Sequence, residues 1–550
     1  MWNVIVEYFP DWKTWNQALA TLLFALIIKA IYGHLYTWGK NKGSNEEQNE
    51  EQSQEEQEKA SLTGNYDTDL EAIKQMIGGN SDVNFRDFRI SLRSSRAVLI
   101  YVEGMEDKTL LNMQVLQNLM DSSFQKAEGY SLQGEDFTSY VKERLLPVSK
   151  LNEIKEINEL GQFVLRGFTA LLIEGLQSAL LIGEPTPKVR SIDEPTSEAL
   201  LRGPRIGFTE VLSENTALLR QHGRSSDLEM KMVEVGSRIK RNMVIAYMKE
   251  IVNQDLLKEV NDRVATVKMD FIAESGYVEQ LIEDDWLSPF QQVQNTERPD
   301  RVINALLEGR IALLLDGTPF ALIVPVTFSM LLQSPEDYYE RWLSSSLLRT
   351  LRFIVAFTAL MMPAMYISFI SFHPGLIPTE LAVTIIETRQ AVPFPSIIEV
   401  LILEISIEIL REAGIRLPKP IGPAMGIVGG LIIGDAAVQA GIVSPILVIA
   451  VAVTAISSFA IPMYSAGITL RMLRFVGMFF AAMLGMYGTI LFFLLICSHL
   501  TRLKSFGVPY VTPIAPYRLN DWKDLFLRLP ITLMKHRPNL LKAQQKKRRP

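Results

Sequence analysis

Residues 165–182 read LRGFTALLIEGLQSALLI, and residues 307–324 read LEGRIALLLDGTPFALIV. The two stretches align without a gap at an offset of 142 positions, Gly167 onto Gly309, Ala170 onto Ala312, Gly175 onto Gly317 and Ala179 onto Ala321. Each closes a helical pattern, crosses a short apolar run, meets an acid–glycine pair (Glu174-Gly175, Asp316-Gly317) and enters a second apolar run. An acid–glycine pair between apolar runs signals a β-hairpin, because both residue types tolerate the positive φ of a type I′ turn. Strand-like runs stand upstream at Val98–Val102 and Val264–Met269, with helical patterns at 107–120 and 151–164. The expectation is an α/β soluble domain of two related subdomains, 66–190 and 191–345. A membrane span over 311–332 is excluded by Asp316, Gly317, Pro319 and Pro325, and by its twin at 169–182, which is too short to cross.

The halves are joined by an irregular Pro/Gly segment, 184–208. Beyond it Asn215, Arg220, Arg224 and the run Arg238–Arg241 read as a solvated basic face, with a phosphate site as the alternative.

From 346 to 500 the chain changes character and holds apolar runs near 20 residues long, the length that crosses a bilayer core of about 30 Å. An all-α multi-span membrane domain follows, with spans at 353–372, 421–440, 443–461 and 475–498 and a less regular helix at 395–412. Arg341, Arg349 and Arg352 before the first span orient it outward from the cytoplasm. Counting onward conflicts. Arg411, Arg416 and Lys419 ask for an inside loop, five spans then put the tail outside, and four leave Arg471 and Arg474 outside.

Two constellations in this domain bear chemistry. In 395–418 (PSIIEVLILEISIEILREAGIRLP) the acids Glu404, Glu408 and Glu412 share one helix face with Arg411. Acids inside a membrane helix face water, a pore or a partner, and this face fits either a cation pathway or an interfacial helix bearing a Glu408–Arg411 pair. In GPAMGIVGGLIIGDAA, Gly422, Gly426, Gly430 and Gly434 recur every fourth residue, which lets helix backbones approach closely. The face packs either within one subunit or between subunits around a narrow pore, where Val428 would gate by dewetting and Asp435 would attract cations or cap the next turn.

At the N-terminus, 1–40 carries an apolar stretch (15–36) that reads as a membrane anchor or an interfacial helix, with Lys40 and Lys42 placing the soluble domain on the cytoplasmic side. Glu7 and Asp11 in place of a basic lead argue against a cleaved signal peptide. The tract 41–65 contains EEQNEEQSQEEQE and lacks the apolar surface to fold. The tail 501–550 ends in Lys542, Lys546, Lys547, Arg548 and Arg549, suited to an anionic inner leaflet.

A net charge of −6 gives no general affinity for nucleic acid. The single cysteine, Cys497, excludes an intrachain disulfide and a cysteine metal cluster. His34, His222, His373, His499 and His536 are scattered, and GxxxxGK[ST], HExxH and GxSxG are all lacking. Catalysis, a bound metal and a cofactor are not expected.

Together the stretches Tyr101-Val-Glu-Gly, Glu194-Pro, Arg202-Gly-Pro-Arg-Ile-Gly-Phe208-Thr-Glu, Asn215-Thr-Ala-Leu-Leu-Arg220, LLEGRIALLLDGTPFALIVP (306–325), Glu336-Asp-Tyr-Tyr, VPFPSIIEVLILEISIEILREAGIRLP (392–418), IVGGLIIGDAAVQAGIVSP (427–445) and Ser505-Phe-Gly-Val-Pro resemble the A subunit of GerA-family spore germination proteins, in order over roughly 90–530. The apolar 15–36 segment departs from the family's hydrophilic lead-in. The resemblance implies a multi-pass protein of the spore inner membrane. It would act with a permease-like B subunit that senses nutrients and a lipoprotein C subunit, and would form a homo-oligomeric ring that releases monovalent cations. Competing readings are a membrane-anchored binding module with a small-molecule site between its two halves, and a paralogue acting beside the dipicolinate-release machinery. A solute transporter is disfavoured by the lack of an inverted repeat.

Overall fold

The computed structural model describes residues 61–91, 95–121, 135–148, 150–183, 194–195, 198, 200–416, 430 and 433–548. The apolar 15–36 stretch, the acidic tract, 184–193, Gly422, Gly426 and Val428 lie outside the described residues.

The first half begins with helix α1 (Tyr66–Ile77), whose N-cap Asn65 accepts a hydrogen bond from the backbone N–H of Asp67. Strands β1 (Val83–Arg89) and β2 (Arg96–Val102) follow, then α2 (Leu110–Leu116, π-helical, continued by Gln117–Met120) and α3 (Glu135–Tyr140, continued by Val141–Leu145). It closes with β3 (Leu151–Ile154), α4 (Ile157–Leu165), β4 (Thr169–Ile173) and β5 (Ala179–Ile182). The second half repeats this order: α5 (Leu212–His222), β6 (Leu228–Val235), β7 (Arg241–Met248), α6 (Gln254–Ala265), α7 (Ser275–Ile282), β8 (Gln294–Thr296), α8 (Pro299–Glu308), β9 (Ile311–Leu315) and β10 (Ala321–Val324). The sheets share one antiparallel topology, β1-β2-β4-β5-β3 and β6-β7-β9-β10-β8. The duplication read from the hairpins therefore extends through the whole soluble domain.

The hairpins β4–β5 and β9–β10 stand where the repeat places them. Their connections are longer than a two-residue type I′ turn, and positive φ falls on the glycines, at Gly175 (+85°) and Gly317 (+82°). Each preceding acid ties its hairpin down. Glu174 accepts from the N–H of Arg96 at 3.0 Å, and Asp316 from that of Leu212 at 3.3 Å.

Two local expectations are corrected. The strand equivalent to β2 is β7, which pairs with β9 (Ile245↔Leu313), whereas Val264 closes α6. That segment buries Leu256, Leu257, Val260 and Val264 along one helical stripe, a 3–4 residue period that outweighs β-branched composition. The pattern at 151–164 opens as the edge strand β3 before α4 begins.

Arg220 is not part of a solvated face. On α5 it is 1% exposed, donating to Asp82 (2.8 and 2.9 Å), to Asn80 Oδ1 (2.7 Å) and to the Leu228 carbonyl (2.7 Å). Asn80 and Asp82 precede β1, so this one guanidinium fastens the two halves. Ala217 of the same helix enters the first half's core. The seam around Arg220 is thus filled by protein.

After two short turns the chain enters a helical bundle: α9 (Trp342–Ser371), α10 (Thr379–Arg389), α11 (Ser396–Arg416), α12 (Pro445–Phe459) and α13 (Tyr464–Arg502). Among the described residues α9 and α13 are long and apolar enough to cross a membrane. The stretch 475–498, read as one span, reverses direction at Gly485 (φ 58°, ψ −138°). The rings of Phe480 and Phe492 lie 5.7 Å apart, where a straight helix would separate them by about 18 Å. Thr469 donates to the Pro289 carbonyl (2.7 Å) while His499 meets Ser288 (2.8 Å), so both ends of the hairpin return to one loop. α9 starts on this side too, where Ser345 donates to the Asp337 carbonyl (2.7 Å).

An added Cβ at Gly485 would stand 2.8 Å from Phe372, in a backbone region open to glycine alone. Gly485→Ala is expected to cost about 1–3 kcal/mol, read as a lower midpoint of thermal unfolding in detergent with the helix content retained.

The segment after α13 folds back onto the second half. Tyr510 donates to the Gln291 carbonyl (2.6 Å), the N–H of Gln544 to the Ile251 carbonyl (3.0 Å), and Ala543 is buried with α8. The basic tail thus lies on the soluble domain's side of the bundle.

Candidate functional site

The acidic face of α11 meets α13. Glu404 and Arg474 approach to 2.7 Å with both side chains 1% exposed, and Glu408 Oε1 lies 3.1 Å from Arg471 Nε. The register is that of antiparallel helices, as the residue four further along α11 meets the one three earlier on α13. Glu408 also accepts from Arg411 Nη1 at 3.0 Å, the intrahelical i,i+3 pair. Arg411 reaches on to Ser458 Oγ of α12 (2.9 Å) and lies over the Phe459 ring, 4.7 Å from its centroid. Three helices are thereby joined through charge. Glu412 is separate, largely exposed and paired with Arg416 at 2.7 Å.

Of the glycine-rich segment, Gly430, Gly434 and Asp435 are described. A Cβ on Gly434 would stand 3.5 Å from Val448 of α12, which places it in close packing within the chain. One on Gly430 would meet nothing within 4 Å. Asp435 is exposed and accepts from Gln439 Nε2 (2.8 Å) on its own helix.

A second charged joint couples the bundle to the domain below. Asp337 receives Arg349 Nε (3.1 Å) and Arg352 Nη1 (2.7 and 2.8 Å) from α9, and Asp524 receives Arg349 Nη1 (2.6 Å) and the Tyr338 hydroxyl (2.6 Å). Arg349 is completely buried. The residues missed by sequence reasoning are therefore Arg471, Arg474, Asp337 and Asp524. For Arg471 and Arg474 the signal was the matching of an i,i+4 acid pair with an i,i+3 arginine pair on another helix, whereas Asp337 and Asp524 carry no such pattern.

Beside the loop that receives α13, Glu279 of α7 is pushed up to about 8, first by burial and then by the neighbouring Glu283 carboxylate, with Glu274 adding to the effect. A carboxyl raised in the folded state stabilises the fold below its unfolded value and loses that contribution as pH rises through the folded one. Wild type is therefore expected to lose stability between about pH 4.5 and pH 8. Glu279→Gln should unfold at the same temperature as wild type at pH 5 and at a higher one at pH 8.5.

Among the described residues no cluster of His, Cys, Asp or Glu is arranged to hold a metal. The site's charged groups form ion pairs between α11 and α13 and between α9 and the soluble domain's side.

Known proteins agree with one another about what the chain resembles. The family model described as Bacillus/Clostridium GerA spore germination protein matches residues 71–540. Spore germination protein GerLA of Bacillus cereus is 39% identical over 89% of this chain and 98% of its own length. Spore germination protein B1 of Bacillus subtilis is 41% identical over 87% and 97%, and spore germination protein A1 of the same organism 48% identical over 67% and 76%. The crystal structure of the N-terminal domain of the A subunit of the Bacillus megaterium spore germinant receptor GerK3 is 32% identical, with a TM-score of 0.39, and covers 49% of this chain and 98% of its own. By the extent of these matches, the chain belongs to the GerA family of spore germination proteins.

Proposed function

We propose that this chain is the A subunit of a germinant receptor in the spore inner membrane, and that copies of it assemble into a ring around a cation-release path. The observation that carries the reading is the partition of side chains in the bundle. Glu404, Arg474 and Arg349 are buried, while Ile354, Phe357, Ile409, Ile449, Phe479, Met483 and Leu494 face outward. A surface of that kind suits lipid, with charges paired inside. α9 would leave the soluble domain's side, 464–484 would leave it again and 486–502 would return.

The exposed basic groups Arg502, Lys504 and Lys542 on that side support a cytoplasmic soluble domain. Ring assembly is supported by Gly430, open on its outer side, and by Asp435, a carboxylate that needs water or a neighbouring subunit rather than lipid. The expected partners are membrane lipid, a permease-like B subunit and a lipoprotein C subunit, and no catalytic role is assigned.

The test is K⁺ release during germination in strains carrying Val428→Trp or Val428→Glu. A bulky residue should slow release and a charged one should cause leakage. Normal flux in both, with normal assembly, would contradict the channel.

A further inference from the structure

A cavity of about 530 Å³ opens where the bundle meets the soluble domain. Six charged side chains line it: Glu198, Arg301, Glu336 and Arg352 below, Arg411 and Arg471 above. Four of them are engaged. Arg301 holds Glu198 at 2.8 Å and donates to the Met330 and Gln333 carbonyls, Arg352 chelates Asp337, and Glu336 accepts from the N–H of Leu201.

The two bundle arginines remain underused. Arg411 gives its terminal nitrogens to Glu408 and Ser458, and its buried Nε finds no acceptor. Arg471 is only 8% exposed, yet among the described residues its guanidinium makes no hydrogen bond. Its one ionic contact is the 3.1 Å approach of Nε to Glu408, poorly directed for donation, and the Tyr464 ring lies 5.8 Å away. Glu408 is shared by two arginines, and Glu404 is taken by Arg474. Among these helices three guanidinium groups share two carboxylates, so Arg471 has no carboxylate of its own, while Glu336 below holds a backbone N–H. A buried guanidinium with unused donors is costly, and its fork matches carboxylate and phosphate oxygens.

We propose that this cavity is a binding site for an organic anion, whose carboxylate or phosphate takes the free donors of Arg471 and Arg411. Ile415, Ile461 and Pro462 supply an apolar wall for the rest of the molecule. The anion has two possible sources, a small soluble acid or an anionic lipid headgroup, since the cavity lies at the end of the bundle that meets the soluble domain. The site stands independently of ring assembly and of conductance.

Gly467 provides a built-in control. It borders the cavity, and a Cβ there would have Arg471 Nη1 (3.8 Å) and the Ser458 carbonyl (3.9 Å) as its nearest neighbours, ordinary contact distances. Gly467→Glu therefore places a tethered carboxylate where the anion would sit.

The experiment is thermal unfolding of the full chain in phosphatidylcholine nanodiscs, titrated with inorganic phosphate or succinate, and in nanodiscs with increasing phosphatidylglycerol. Wild type should show a saturable rise of a few degrees with at least one probe. A rise with phosphate or succinate in neutral lipid identifies a soluble anion, and a rise with phosphatidylglycerol alone identifies a headgroup. Arg471→Gln should abolish the response. Gly467→Glu should melt higher than wild type without any probe and respond to none, which keeps the test decisive even if Arg471→Gln fails to fold. Indifference of wild type to all three probes, or a wild-type response in Gly467→Glu, overturns the proposal.

Discussion

Arg474→Ala is expected to destabilise the bundle by about 3–5 kcal/mol, because it strands the Glu404 carboxylate in a site where both partners are 1% exposed. Most of that cost belongs to the charge left behind and not to the attraction that was lost. Adding Glu404→Gln to Arg474→Ala should therefore recover much of the stability, and exchanging the two residues should recover more. Thermal unfolding in detergent measures all three. A single variant within 1 kcal/mol of wild type would show that water reaches Glu404 and that the pair does not hold α11 on α13. The neighbouring Glu408 is more exposed, at 36%, but serves both Arg411 and Arg471, so Glu408→Gln should cost a comparable amount by leaving two buried guanidinium groups without a carboxylate.

Arg220→Met should have an effect of similar size, about 3–5 kcal/mol, in the soluble domain. The methionine fills the space but leaves Asp82, 4% exposed, without its counterion, and takes a donor from the Leu228 carbonyl and from Asn80 Oδ1, which keeps the Met230 N–H. Arg220→Lys should rescue little, because one ammonium cannot replace a fork that bonds Asp82 through two nitrogens while a third reaches across to Leu228. The expected readout is a split of the soluble domain's unfolding into two transitions, one per half. A single transition at the wild-type temperature would mean that the α5 packing and the hydrogen bonds linking Asn80 and Ser81 to β6 join the halves without Arg220.

Much of the soluble domain was legible because its duplication preserved hairpin chemistry. Glu174-Gly175 and Asp316-Gly317 announce the same turn in sequences that otherwise differ, and β3 and α4 recur in β8 and α8. β7 was hidden by its basic entry at Arg238–Arg241, which has the composition of a solvated segment although it leads into the apolar run of Met243–Met248. Arg220 looked solvated because its partners, Asn80 and Asp82, are remote in sequence.

The bundle was harder to read for the same physical reason. Counting loop arginines assumes that each is free to face water, but Arg349 and Arg352 are held by Asp337 and Asp524, and Arg471 and Arg474 by Glu408 and Glu404. Charges buried against partners inside the protein carry little weight in topology, which is why the counts conflicted. The reversal at Gly485 was invisible because the residues on either side are equally apolar, and hydropathy does not distinguish one long helix from two antiparallel ones.

The central claim, a membrane-embedded A subunit that assembles to release cations, is tested most directly by measuring the oligomeric state and K⁺ conductance of the purified chain in lipid bilayers. The account predicts a closed ring of copies whose cation conductance falls with Val428→Trp. A monomer that conducts nothing, under conditions where the fold is intact, would contradict it.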